Sequence, residues 1–259
     1  MDTDDPPSSA LDSAQSVHYE IHTEEMIGRS DHSDVYRATD HANPHIEYVA
    51  KKYVLSNFKD FEKCYRESGA KEKIPPHRNV LMHSRIRLSH GVAEIIMERW
   101  GSSLAAYLQK MNPSLEQRVD IMGQIAEGIK HIHQHNFAHR NLKPSNVLIK
   151  VQADGSVVCR VSDMELCRDT NRGEMAAGTG GVGDVEWRAP EIQEDPGEYS
   201  NSVDVFSLGL LFQLLLTHSP GKRIQATKGN IDISYKTFPN FCNVFLIQIT
   251  HYEVPLSLL

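Results

Sequence analysis

Two short stretches carry the side chains with most chemical potential, AHRNLKPSNVLI at 138–149 and VSDMELC at 161–167. Asn146 offers an amide oxygen and Asp163 a carboxylate, oxygen donors of the kind that hard cations take. Asn141, by contrast, is a neutral amide and cannot act as a general base near pH 7. Each signal is weak alone, and the order in which such signals follow one another along the chain gives them their specificity.

That order resembles the protein kinase family. HRNLKPSN at 139–146 is similar to the catalytic loop H-R-D-L-x-x-x-N. Upstream, YVAKKY at 48–53 resembles V-A-I-K. Downstream, VSDMELC stands in the place of D-F-G, WRAPE at 187–191 matches A-P-E, and SNSVDVFSLGLLF resembles the helix that follows. The resemblance covers roughly residues 20–220 and implies an α+β, two-lobed fold, with a small β-rich N-lobe and a mostly helical C-lobe that is incomplete. It also implies ATP and Mg2+ as cofactors, a protein substrate or partner, and transfer through a loose transition state in which positioning and charge neutralisation do most of the work.

The resemblance assigns roles residue by residue. Lys52 takes the place of the lysine that steadies the α and β phosphates, with Glu67 as its helix partner and Glu62 as a poorer one. Asn146 and Asp163 match the metal ligands. Lys143 stands near the γ phosphate, as in Ser/Thr-type members, and Arg140 where an arginine receives an activation-loop phosphate. Val35, Ala50 and Leu148 match the residues that sandwich adenine, Gly28 opens the glycine-rich loop, and Met97 and Glu98, with Arg99 and Trp100, fit the hinge whose backbone bonds the purine edge.

The departures are as informative. Asn141 replaces the catalytic-loop aspartate, a loss that costs on the order of 10²–10⁴ in rate where such a base operates. Ser30 and Ser33 replace loop glycines, and Asp31 and Asp34 add carboxylates expected to repel the γ phosphate. Met164 can plug the site of the D-F-G phenylalanine, but Glu165 replaces a glycine. Counted from Thr179, the stretch GTGGVGDVEWRAPE is about five residues longer than G-T-x-x-[WY]-x-A-P-E, and the resemblance pairs Glu191 with an arginine from a later region that is expected to be missing or replaced. The implied function is a signalling protein of kinase fold that binds ATP and Mg2+ with phosphotransfer absent or impaired. The alternatives are a slow Ser/Thr kinase and a truncated variant of a longer one. LKPSNVLI with SDMELCR also resembles, more faintly, the branch of stress-sensing kinases that carry a ribonuclease extension.

The elements that must position these residues follow from periodicity. Residues 1–17 are too polar to offset the entropy of ordering. Short β-branched runs from 18 to 55 read as strands, 58–73 as a helix, and VLMHSRIRL and VAEIIMERW as further strands, so the N-lobe covers about 18–100. The partial C-lobe runs over about 101–221. Within it, SLEQRVDIMGQIAEGIKHIHQH is an amphipathic helix with Ser114 and Gln117 as a capping box, and Asp154-Gly155 turns a hairpin. The apolar run 205–217 is a core helix too short to cross a bilayer, expected to be uncovered on one side, and 222–259 shows no helical period.

Composition narrows the function classes. A net charge of −7 with interleaved signs gives no basic stripe for nucleic acid, and four scattered cysteines without C-x-x-C, with no signal peptide, point to the cytoplasm or nucleus. No membrane partner is expected. His131 and His135 share a helix face and could bind zinc, though no acidic base accompanies them. Thr170 and Thr179 are candidate phosphorylation positions in the activation segment.

Overall fold

The computed structural model describes residues 19–29, 33–56, 58–170, 183–194 and 200–217. The expectations for 1–17, Ser30, Asp31, Thr179 and 222–259 lie outside them. The chain divides into two compact units, one ending its first run at Ser56 and adding His83–Arg99, the other holding the rest.

The first unit is a five-stranded antiparallel sheet in the order β1-β2-β3-β5-β4, with β1 Tyr19–Arg29, β2 Asp34–Asp40, β3 Tyr48–Val54, β4 Arg85–Ser89 and β5 Val92–Glu98. Asp40 shapes the β2–β3 connection by accepting from the Ala42 amide at 2.9 Å and from the Asn43 side chain at 2.7 Å. The β4–β5 turn is made by His90 and Gly91, both at positive φ, as a tight hairpin requires. Ala38, Tyr48, Ala50 and Ile96 bury one face of the sheet together, and the two-residue period of β3 puts Lys52 on that same face.

The second unit begins with α1 (Phe58–Lys73), the helix expected in the N-lobe, which groups here because of what it touches. Ala70 and Ile74 join the core of this unit, Lys73 meets Asp169 at 2.6 Å, and the Arg66 carbonyl accepts from the Cys167 thiol. The expected strand VLMHSRIRL is also divided. Its beginning lies on the edge of β9 (Val157–Val161), where the Val161 amide donates to the Asn79 carbonyl and the Leu81 amide to the Val161 carbonyl, both at 2.8 Å. Only from Arg85 does it enter the first sheet.

The core of the second unit is organised by α3 (Leu115–Gln134), whose Ile121, Met122, Ile125, Ile129 and Ile132 form a continuous buried stripe. The capping box is present as expected, Ser114 accepting from the Gln117 amide and the Gln117 side chain accepting from the Ser114 amide. Strands β6 (Ser102–Ser103), β8 (Val147–Val151) and β9 form a second small sheet, with the hairpin turned at Gly155. The helix α2 (Leu104–Lys110) is capped by Ser103.

After the short helix α4 (Glu191–Glu194), helix α5 (Ser202–Thr217) packs Leu208, Leu211, Phe212 and Leu215 into the same core as α3. Each fully buried Leu contributes about 1.5–3 kcal/mol by leaving water. Arg118 on α3 donates to the Leu215 carbonyl at 3.1 Å, satisfying an acceptor in the last turn of α5. The expected uncovered face is not found: every described apolar side chain of α5 is buried or half-buried.

Candidate active site

The site is set by strand β7 (Phe137–Ala138), a 3-10 turn at Pro144–Asn146 that runs directly into β8, and the segment after β9. Its anchor is Asp204, fully buried in the first turn of α5. One carboxylate oxygen accepts from the Arg140 amide at 2.7 Å, and the other from the His139 amide at 2.7 Å and from Nε2 of His133 at 2.8 Å. Burial pushes the Asp204 carboxyl up, but the His133 hydrogen bond and charge, the charge of His139 and the Arg140 amide bond outweigh it and hold the group below its ordinary value. This grip holds Arg140 at φ 63°, a conformation that costs a non-glycine residue about 1–3 kcal/mol.

Downstream of that anchor the candidate residues converge. The Asn146 side chain donates to the Asn141 carbonyl at 2.8 Å, and the Asn146 carbonyl in turn accepts from the backbone amide and hydroxyl of Ser162, at 2.8 and 3.0 Å. Asp163, at φ 72°, thereby faces the loop, and the Asn141 side-chain amide donates to its carboxylate at 3.2 Å. A carboxylate can only accept, so the Asn141 amide must present its NH2 there. Met164 fills the core beneath at 1% exposure, the apolar plug expected of it.

Arg140 is buried and its Nε donates to the Leu166 carbonyl at 2.6 Å. Strand β10 (Arg168–Asp169) pairs with β7, and Thr170 donates both its amide and its hydroxyl to the Asn136 carbonyl. Glu67 is 4% exposed on α1, and its charge, after burial itself, helps push the Cys167 thiol up to about 12. Leu148 is half-buried in β8.

Lys143 makes a contact that the sequence did not suggest. Its Nζ lies 3.2 Å from a carboxylate oxygen of Asp184. The segment carrying Asp184 leads to Trp187, whose carbonyl accepts from Ser207 of α5 at 2.7 Å.

In the first unit, Gly28, Val35, Ala50, Lys52, Met97 and Glu98 lie on one sheet: Gly28 is opposite Val35, Lys52 between Asp34 and Glu94, Val49 opposite Met97, and Tyr48 opposite Glu98. Asp34, one of the two carboxylates added to the loop, is paired with a cation. Arg29 donates to it at 2.7 Å across the β1–β2 pair, and that bond holds its carboxyl below the ordinary value. The catalytic and metal candidates are thus brought together in the second unit with Glu67 and Leu148, and the remaining nucleotide candidates in the first.

Residues 21–254 match the protein kinase domain family. The chain belongs to that family. Its relatives include the serine/threonine-protein kinase/endoribonuclease ire-1 of Caenorhabditis elegans, 29% identical over 199 residues, covering 72% of this chain and 20% of the relative. IRE1 of Hypocrea jecorina is 28% identical over 210 residues, covering 66% and 17%. A probable myosin light chain kinase of Dictyostelium discoideum is 28% identical over 173 residues, covering 66% and 43%. The chain therefore spans less than half the length of each of these relatives.

In this kinase domain two metal-ligand candidates have the chemistry that Mg2+ requires. Asn146 donates its NH2 to the Asn141 carbonyl and keeps its amide oxygen as an acceptor, which Ser145 meets at 3.4 Å, and Asp163 offers a carboxylate that already accepts from Asn141. The zinc alternative has no such support. Nε2 of His131 donates to the Pro75 carbonyl and Nδ1 of His135 to the His131 carbonyl, and neither histidine joins a metal-holding group among the described residues. No described helix is long and apolar enough to cross a membrane.

Sequence reasoning missed Asp204 and Asp184. The first carried a signal, a carboxylate inside an apolar helix, which must be paired if buried. The second was hidden by counting from Thr179.

Proposed function

We propose that this kinase domain binds ATP with Mg2+ and acts in signalling through protein contacts, with phosphotransfer to protein hydroxyls impaired. The observation that carries it is Asn141: the position that should take the substrate proton holds an amide, and that amide is committed to the metal-ligand candidate Asp163. Bound Mg2+ would neutralise phosphate charge, held by Asn146 and Asp163. Lys52 would steady the phosphates, while Ala50, Val35 and Leu148 would take the adenine. The cytoplasm or nucleus suits a chain whose Cys64, Cys159 and Cys167 are buried as thiols.

The test is the melting temperature of the chain with and without ATP and Mg2+, since a ligand that binds only the folded state must raise it. A rise that disappears in Lys52→Met supports the reading. No rise over a cooperative melt removes it.

A slow but working Ser/Thr kinase is the second reading, favoured by intact Lys52, Lys143, Asn146 and Asp163. It expects magnesium-dependent autophosphorylation that Lys52→Met abolishes.

A further inference from the structure

We propose that Asp184 supplies the carboxylate that the catalytic loop lacks at position 141, acting as the proton acceptor for a protein hydroxyl. The inference rests on the ATP-binding reading above and deepens its second form, the slow but working Ser/Thr kinase.

The first support is the register of the chain. The family pattern G-T-x-x-[WY]-x-A-P-E is met without any insertion by Gly183–Glu191, GDVEWRAPE, with one change: Asp184 stands where the threonine belongs. One carboxylate is lost from the loop at 141, and one is gained in the segment that lies against that loop.

The second support is geometric. Gly183 sits at φ 85°, and a Cβ there would come within 2.5 Å of the Arg140 carbonyl, so only glycine allows this approach. Lys143 reaches the Asp184 carboxylate at 3.2 Å. The two contacts touch the residue before Asn141 and the residue two places after it, which brackets position 141 with the segment carrying the new carboxylate.

The third support is that Asp184 is held and reachable. Its second oxygen accepts from the Glu186 amide at 3.1 Å, its carbonyl accepts from the Trp187 and Arg188 amides at 3.0 and 2.9 Å, and Trp187 is tied to α5 through Ser207. Its side chain is 35% exposed, open to an incoming hydroxyl. Asn141 is 8% exposed, its NH2 donates to Asp163, and its amide oxygen is too weak a base to take a proton.

In the step itself the hydroxyl oxygen forms a bond to the γ phosphorus, the bond from that phosphorus to the β–γ bridging oxygen breaks, and ADP leaves with the electron pair. The hydroxyl proton passes to the Asp184 carboxylate. Lys143, already beside it, stays within reach of the transferred group.

The same ion pair could instead be a lock that withholds Lys143 from phosphate, and the two differ in the sign of one experiment. Single-turnover transfer from ATP with Mg2+, to the chain itself and to casein, is compared for the parent, Asp184→Asn, Asp184→Glu and the double variant Asn141→Asp/Asp184→Asn. ATP-induced melting shifts are measured in parallel. The proposal expects measurable transfer by the parent, a fall of about 10²–10⁴-fold in Asp184→Asn, partial retention in Asp184→Glu and recovery in the double variant, with the ATP shift kept throughout. Transfer by Asp184→Asn equal to or faster than the parent overturns it. So does loss of the ATP shift in that variant, which would make Asp184 a binding residue. A parent that shifts with ATP yet transfers nothing overturns the proposal and leaves nucleotide binding standing; a parent without any shift removes both.

Discussion

Asp204→Ala tests whether one buried carboxylate holds the catalytic loop. The substitution strands three donors, the His139 and Arg140 amides and Nε2 of His133, all in residues no more than 6% exposed. Each stranded donor costs about 1–3 kcal/mol, and breaking a buried pair typically costs about 3–5 kcal/mol, so a total loss of about 3–5 kcal/mol is expected after local relaxation. At about 2–4 °C per kcal/mol for a chain of this size, the melting temperature should fall by roughly 6–20 °C. The loop should also lose its left-handed Arg140, and with it slow hydrogen exchange at the amides of 139 and 140. The assay is a thermal melt paired with amide exchange. A fall under about 2 °C with those amides still protected would show that the loop is held by something other than Asp204.

Acid should act through the same group. Because the folded carboxyl lies below its ordinary 3.8, its contribution is fully present above that value and is lost as pH falls through the lower folded value. The stability difference between parent and Asp204→Asn should be flat from neutral pH down to about 5 and shrink below 3.8; a difference that grows in acid contradicts the sign. Burial pushes the thiols of Cys159 and Cys167 up to about 12, so iodoacetamide at neutral pH should label them only as fast as the chain unfolds, and labelling at the rate of a free thiol would refute their burial. Gly128 lets α3 approach the Asn79 carbonyl, which a Cβ would meet at 2.6 Å; Gly128→Val should destabilise by about 1–3 kcal/mol, seen as a lower denaturant midpoint, and an unchanged midpoint would mean the two segments separate freely.

Much of the local architecture was legible because it is written in short-range patterns. The Ser114–Gln117 box, the Asp154–Gly155 hairpin and the apolar stripe of α3 each depend on residues within a few positions of one another. The catalytic loop could be read because Asn141, Lys143, Asn146 and Asp163 keep their order, and order survives in a linear chain. The sequence could also say what Asn141 cannot do, since an amide lacks a basic pair whatever surrounds it.

What only the tertiary structure decided is which distant groups meet. Asp204 reaches residues more than 60 positions upstream, and nothing local marks it as their acceptor. Arg29 neutralises Asp34 only because β1 and β2 pair in one register, and α1 joins the second unit because its buried face matches that core rather than because of its place in the chain. Asp184 meets Lys143 because the fold sets Gly183 against the Arg140 carbonyl, a meeting that spacing along the chain does not specify. The physical reason is common to all four: propensity and capping act over a turn or two, whereas burial and charge pairing act through space, and their partners are chosen by the folded backbone.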